Sequence, residues 1–192
     1  MGRIVVSENV TLDGVAQDPA GAEGFARGGW VGRIGDRGRE GAARALLEEA
    51  LSADAQLFGR RTYDFLAARW PSRTGALADR LNTMPKYVVS STLSNPTWSN
   101  STVLNGDAIA EVGRLKRKLR GSIVVSGSIT LVRTLLGCDL VDELRLMVYP
   151  LVLGAGDRLF ATLQAKIPMR LIDSRTLDDG LVYLTYERDR AA

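Results

Sequence analysis

Histidine is absent from this 192-residue chain, and cysteine occurs once, at Cys138. Without histidine there is no Ser-His-Asp or Cys-His catalysis and no histidine-containing zinc site. One cysteine cannot form an intrachain disulfide. Its apolar surroundings, LLGCDLVDEL, make Cys138 a core residue rather than a nucleophile. Proton chemistry is left to Asp, Glu, Lys, Tyr or a bound water. No apolar run is long enough for a membrane span. The opening Met1–Val6 runs straight into strand-like sequence without a signal-peptide pattern, so a cytoplasmic location is expected. Aromatic residues make up only 6% and the net charge is +3. That balance suits a small anionic ligand and gives neither the basic surface nor the stacking platforms that nucleic acid needs.

Hydrophobic residues reach 45% and charged residues 24%, as in an ordinary globular protein, and the length suits one domain, residues 1–192. Ser122–Leu136, SIVVSGSITLVRTLL, carries the clearest pattern. Ile123–Val125 is a continuous β-branched run, as in a strand covered on both faces. Ser126-Gly127-Ser128 is a tight turn in which Gly127 permits a sharp reversal and Ser128 can cap a helix. Leu131, Leu135 and Leu136 then recur at helical spacing. A helix that starts directly after a strand aims free N–H groups and the positive end of its dipole at one spot, which favours an anion.

Elsewhere the chain alternates. Arg3–Ser7 reads as a strand, Glu8–Pro19 as a loop with a turn at Asp13-Gly14, and Ala20–Arg39 as a long Gly-rich surface loop. Asp13 can fix that turn or face a ligand at the strand end. Phe25 and Trp30 can anchor the long loop or line a pocket. Glu40–Ser52 reads as a helix with Ala43, Leu46, Leu47, Ala50 and Leu51 on its buried face. The strand Asp54–Gly59 leads into Arg60-Arg61-Thr62, a junction that offers phosphate oxygens N–H donors, a hydroxyl and two cations. Equally, the arginines can be solvated and Thr62 a cap. Ser90-Ser91-Thr92 follows the strand Lys86–Val89 and can bind phosphate or ribose oxygens or make side-chain turns. Asp107 caps a helix to Leu119 whose basic run, Arg114–Arg120, reads as a solvated face. Two strands close the chain around Asp178-Asp179-Gly180, a hairpin signal. Strands alternating with helices, plus that hairpin, predict an α/β fold with a mostly parallel mixed sheet. In such sheets ligands bind beyond the carboxyl ends of the strands, where all three polar turns lie.

Six segments carry a resemblance across most of the chain: VTLDGVAQ (Val10–Gln17), LFGRRTYDFLAARWP (Leu57–Pro71), MPKYVVSSTL (Met84–Leu93), WSNSTVL (Trp98–Leu104), VVSGSITLVRTLL (Val124–Leu136) and LVDELRLMVYPLVLGAGDRLF (Leu140–Phe160). In these the chain resembles the dihydrofolate reductase-like proteins of the RibD-type reductase family, especially their small stand-alone bacterial members. The resemblance implies a dihydrofolate reductase-like three-layer sandwich that binds NADPH, usually as a homodimer. It implies hydride transfer to a small heterocycle or an aminopyrimidine sugar phosphate, as in 5-amino-6-(5-phosphoribosylamino)uracil reductases, or alternatively to a pteridine; a non-catalytic NADP(H)-binding protein is the other alternative. By the same resemblance Gly59, Arg60, Arg61 and Thr62 contact cofactor phosphate. Ser90, Ser91 and Thr92 lie near the adenosine 2′-phosphate, and Ser126, Gly127, Ser128 and Ile129 hold the pyrophosphate. Val15 and Ala16 belong to the loop over the nicotinamide, and Asp13 faces the substrate side, so that protonation would fall to Asp13 or to a water it positions. No metal is implied. The deaminase domain and zinc ligands that accompany many riboflavin reductases have no counterpart, and none of Glu40, Glu48 and Glu49 matches the substrate-binding carboxylate of dihydrofolate reductases.

Overall fold

The computed structural model describes residues 1–191. Eight strands form one sheet in the order β4-β3-β2-β5-β1-β6-β8-β7. They are β1 (Arg3–Thr11), β2 (Ala53–Gly59), β3 (Lys86–Val89), β4 (Ser101–Leu104), β5 (Ser122–Ser126), β6 (Glu143–Tyr149), β7 (Met169–Thr176) and β8 (Val182–Arg188). The first six pair in parallel, and β7 and β8 add antiparallel partners at one edge. The helices are α1 (Asp36–Ser52), α2 (Arg60–Ala67), α3 (Ala76–Thr83), α4 (Ala108–Lys118) and α5 (Ile129–Gly137). The predicted mixed α/β sheet and its closing hairpin are what the chain forms.

The β-branched run on β5 divides between two cores because alternate side chains leave opposite faces of a strand. Ile123 and Val125 join Ile4, Val6 and Leu57 against α4 and α5 on one side. Val124 joins Val5, Phe58 and Val88 against Tyr63 of α2 and Leu81 of α3 on the other. Burial on both faces is why β5 has no polar alternation.

Four local expectations are corrected. β1 does not stop at Ser7: β6 continues to pair with it as far as Thr11 opposite Tyr149, whereas β5 ends with Ser126 opposite Ser7. Residues 8–11 of β1 therefore project past the end of β5, leaving a notch. The helix α1 begins at Asp36 and buries Gly38, Gly41, Ala42, Ala45, Glu49 and Ala50, while Leu46 and Leu51 are exposed. Small residues win that face because the Asp178–Gly180 turn lies against it. Asp179 accepts a hydrogen bond from the Gly38 N–H at 2.7 Å, and a Cβ on Gly38 would stand 2.8 Å from the same carboxylate. Cys138 is exposed, because α5 has ended and the chain turns at Asp139 with φ 53°. Lys116, in the basic run, is buried, and its Nζ reaches Asp142 at 2.5 Å and the Leu140 carbonyl at 2.9 Å. Asp107 does cap α4, accepting from the Ala110 N–H at 2.8 Å.

Candidate functional site

Two helices begin directly where strands end: α2 after β2, and α5 after β5. Neither has a side-chain cap, so both leave first-turn N–H groups free of side-chain acceptors. Ser128, expected to cap α5, is used otherwise. Its hydroxyl accepts from the Gly59 N–H at 2.8 Å and donates to Thr62 Oγ1 at 2.8 Å, which ties the two helix starts together. To do this Ser128 adopts a left-handed conformation, φ 67°, directly after Gly127 at φ 62°. For a residue with a Cβ that conformation is uncommon and is held here by the two hydroxyl bonds. A Cβ on Gly127 would stand 2.9 Å from Thr62 Cγ2, so the turns interlock closely.

These starts open into a cleft of about 630 Å³, of a size for a small-molecule or cofactor site. It is lined by Gly59-Arg60-Arg61-Thr62 and Ser126–Leu131 from the two turns, and by Glu8, Asn9, Ala16–Ala20 and Val31 from β1 and the segment after it. Arg60 is braced by Asp64 at 2.6 Å, while Arg61 makes no ion pair among the described residues. The Gly-rich segment forms a wall of the cleft through an internal scaffold. Asp18, 2% exposed, accepts from the N–H groups of Ala22, Glu23 and Phe25 at 2.7, 3.0 and 3.1 Å. Trp30 is fully buried against Tyr149 and donates from its indole to the Gln17 carbonyl at 2.9 Å. Trp30 is thus an anchor of the loop. Phe25 packs against Gly156, where a Cβ would meet its ring at 3.0 Å.

The structure brings together Ala16, Gly59, Arg60, Arg61, Thr62, Ser126, Gly127, Ser128 and Ile129 around this cleft. It places Asp13, Val15 and Ser90–Thr92 outside the lining. Val15 is fully buried and bridges to Arg158. The Ser90 hydroxyl accepts from the N–H groups of Thr92 and Leu93, a local side-chain turn. Asp13 accepts from the Thr11 hydroxyl at 2.6 Å and from the N–H groups of Leu153 and Gly154 at 3.1 and 2.9 Å. These bonds, the Thr11 hydroxyl foremost, lower its pKa to about 2. An acid so firmly ionised has no proton to give at neutral pH, and it pins the Leu153-Gly154 turn instead.

Sequence reasoning overlooked Glu8. It stands on β1 just past the end of β5, is 7% exposed, and lines the cleft. It forms no ion pair among the described residues, and its Oε1 has no hydrogen-bond partner. Burial, with Glu49 nearby as a second cause, raises its pKa well above the ordinary 4.5. The signal was present as a lone acid inside an apolar strand run, IVVSENV, which ending the strand at Ser7 concealed.

The match to known proteins agrees with this architecture. The family model described as the RibD C-terminal domain covers residues 3–183. The chain belongs to the RibD C-terminal domain family. YyaP of Bacillus subtilis (strain 168), a protein described as uncharacterized, is 29% identical over 138 residues, which span 69% of this chain and 73% of that protein. Among solved structures, a protein of Shewanella sp. PV-4 provisionally assigned to riboflavin biosynthesis superposes with TM-score 0.75 at 22% identity, covering 98% of this chain and 99% of that one. A diaminohydroxyphosphoribosylaminopyrimidine deaminase/5-amino-6-(5-phosphoribosylamino)uracil reductase of Thermotoga maritima superposes with TM-score 0.67 at 15% identity. That match covers 98% of this chain and 57% of the larger protein. At these identities the structures establish a shared fold. The family's fold, carried by residues 3–183, is thus the frame on which the cleft is built.

Proposed function

We propose that the chain is an NADPH-dependent reductase acting on a small heterocycle or a ring-opened aminopyrimidine sugar phosphate. The observation that carries this is the pair of uncapped helix starts, locked side by side by Ser128 on the lining of the cleft. Two sets of free N–H groups beside Arg61 fit a diphosphate bridge better than a single phosphate. Membership of the RibD C-terminal domain family and the shared fold with a 5-amino-6-(5-phosphoribosylamino)uracil reductase support the same reading.

The bound dinucleotide would supply hydride, and the protein its position. The first turns of α2 and α5 would hold the diphosphate, with Arg61 adding charge from the rim. Gly127 and Gly59 let those turns pack closely, since a Cβ on Gly59 would lie 3.2 Å from the Ser128 hydroxyl. The Asp18-scaffolded wall and Ala16 would close the cleft over the reacting ring.

NADPH is expected to raise the melting temperature and to be consumed with a pteridine or aminopyrimidine sugar phosphate, followed by loss of dihydronicotinamide absorbance. Arg61→Ala should weaken NADPH binding by roughly tenfold, as befits one charge-assisted contact. Arg60→Ala should cost less, because Arg60 is shared with Asp64. No thermal shift with NADPH or NADP⁺ would refute the cofactor assignment. Stabilisation without consumption across such a panel would make the chain a nucleotide-binding protein.

A further inference from the structure

We propose that Glu8 is the acid of this site, a neutral carboxyl group that delivers its proton to the nitrogen of a C=N acceptor as the adjacent carbon is reduced. The inference rests on the reductase reading above and adds the group that completes its chemistry.

The topology singles Glu8 out. Because β5 ends opposite Ser7, the next residue of β1 has no β5 neighbour and sits in the notch where strand ends meet the cleft. A carboxylate placed there would lack compensation. Arg145 on β6, opposite the neighbouring Ser7, is engaged by Glu143 at 2.6 Å and Glu49 at 3.3 Å. Glu49 itself, from α1, repels a charge on Glu8. The remaining charged groups on the cleft are Asp18, Glu23, Asp157, Arg60 and Arg61; Arg60 is paired with Asp64, and neither arginine forms an ion pair with Glu8 among the described residues. Asp18 spends its oxygens on three backbone N–H groups, and Asp157 pairs with Arg133. Asp13 is ionised and outside the lining. Among the described residues, Glu8 alone combines burial, an unpartnered carboxylate oxygen and a place on the cleft. An isolated buried carboxyl avoids the desolvation penalty by staying protonated, the state a general acid requires.

The substrate carbon takes hydride supplied by the reduced nicotinamide dinucleotide, which leaves oxidised. The π pair of the C=N bond moves to nitrogen and takes the proton as the Glu8 O–H bond breaks. Glu8 is left as a carboxylate and regains a proton from water.

Two measurements need no turnover. In protein carrying ¹³C-labelled glutamate, the infrared difference between wild type and Glu8→Gln should show a protonated carboxyl at pH about 7, as a raised titration requires. Glu8→Met should melt higher than wild type, with the gap widening as pH rises above the ordinary 4.5. The sign follows because folding retains a proton that the unfolded chain releases, so wild-type stability falls with pH until Glu8 titrates in the fold. With substrate, Glu8→Gln should reduce turnover by about 100-fold or more while NADPH still shifts the melting temperature as in wild type. The fall in wild-type activity at high pH should vanish in that variant. An ionised Glu8 at neutral pH, or wild-type turnover in Glu8→Gln, would overturn the assignment alone. Failure of NADPH to bind the wild type would overturn the reductase reading and this step together, whatever the infrared band shows.

Discussion

Arg145→Met is expected to cost about 3–5 kcal/mol of folding stability, the penalty for removing one partner from a buried ion pair. Arg145 lies between Glu49 and Glu143, whose side chains are 6% and 5% exposed. Glu143 keeps a second cation, Arg3, at 2.9 Å. Among the described residues Glu49 then keeps hydroxyl contacts, among them Tyr183, which donates to its Oε2 at 3.1 Å. The loss therefore concentrates on Glu49. Burial already raises the pKa of Glu49, and Arg145 opposes that shift without cancelling it. In the variant the opposition is gone, so Glu49 titrates higher still. A carboxyl with a raised native pKa loses stability as pH climbs from its unfolded value towards its folded one. The gap between wild type and variant should consequently be small in acid and grow above pH 4.5, the ordinary value for glutamate. Urea midpoints at several pH values, with the slope unchanged, would measure it. The double variant Glu49→Leu/Arg145→Met should recover most of the loss, because apolar residues of similar volume can replace a buried pair with little cost. A single variant as stable as wild type at neutral pH would show that water reaches Glu49.

What could be read from the sequence was what adjacent residues decide together. The β-branched run Ile123–Val125, the small turn after it and the leucines of α5 are local signals, and they place β5 and α5 within a residue or two. The closing hairpin and the Asp107 cap were equally local. The errors share another cause. On α1 the leucines look like the packing face, but the contact with Asp179 comes from the far end of the chain and leaves no room for a Cβ at Gly38. Ser128 looks like a cap, yet it serves a strand end 69 residues away. Glu8 falls in a stretch that reads as a loop after Ser7, because only the pairing of β6 with β1 carries the strand onward. Asp13 shows the converse. Its Asp-Gly turn was legible, but the Leu153 and Gly154 N–H groups that hold it ionised lie 140 and 141 residues on. Sequence thus located the strand-to-helix turns that line the cleft and missed Glu8, which strand register places there.

Gly127→Val is expected to lower NADPH affinity by about 100-fold and stability by about 2–4 kcal/mol, the sum of left-handed strain and a packing clash. At φ 62° a β-branched residue is strained whatever space surrounds it. Space is also lacking, since the new Cβ would stand 2.9 Å from Thr62 Cγ2 and 3.0 Å from Thr62 Oγ1. Relief requires Thr62 to withdraw, which breaks its bond to Ser128 and moves the start of α2 away from the start of α5. A ligand bridging both starts would then lose one of them, and with it several N–H contacts. Gly127→Asn separates the two effects, because asparagine tolerates the left-handed region but still carries a Cβ. Adding Thr62→Ala to Gly127→Ala removes the obstructing side chain and should restore part of the stability while the strain remains. Isothermal titration with NADPH, alongside urea unfolding, would follow both quantities. If folded Gly127→Val binds NADPH as wild type does, the interlocked turns are a packing device and the diphosphate lies elsewhere. If affinity falls in Gly127→Val and recovers in Gly127→Ala/Thr62→Ala, the spacing of the two helix starts is what the cofactor reads.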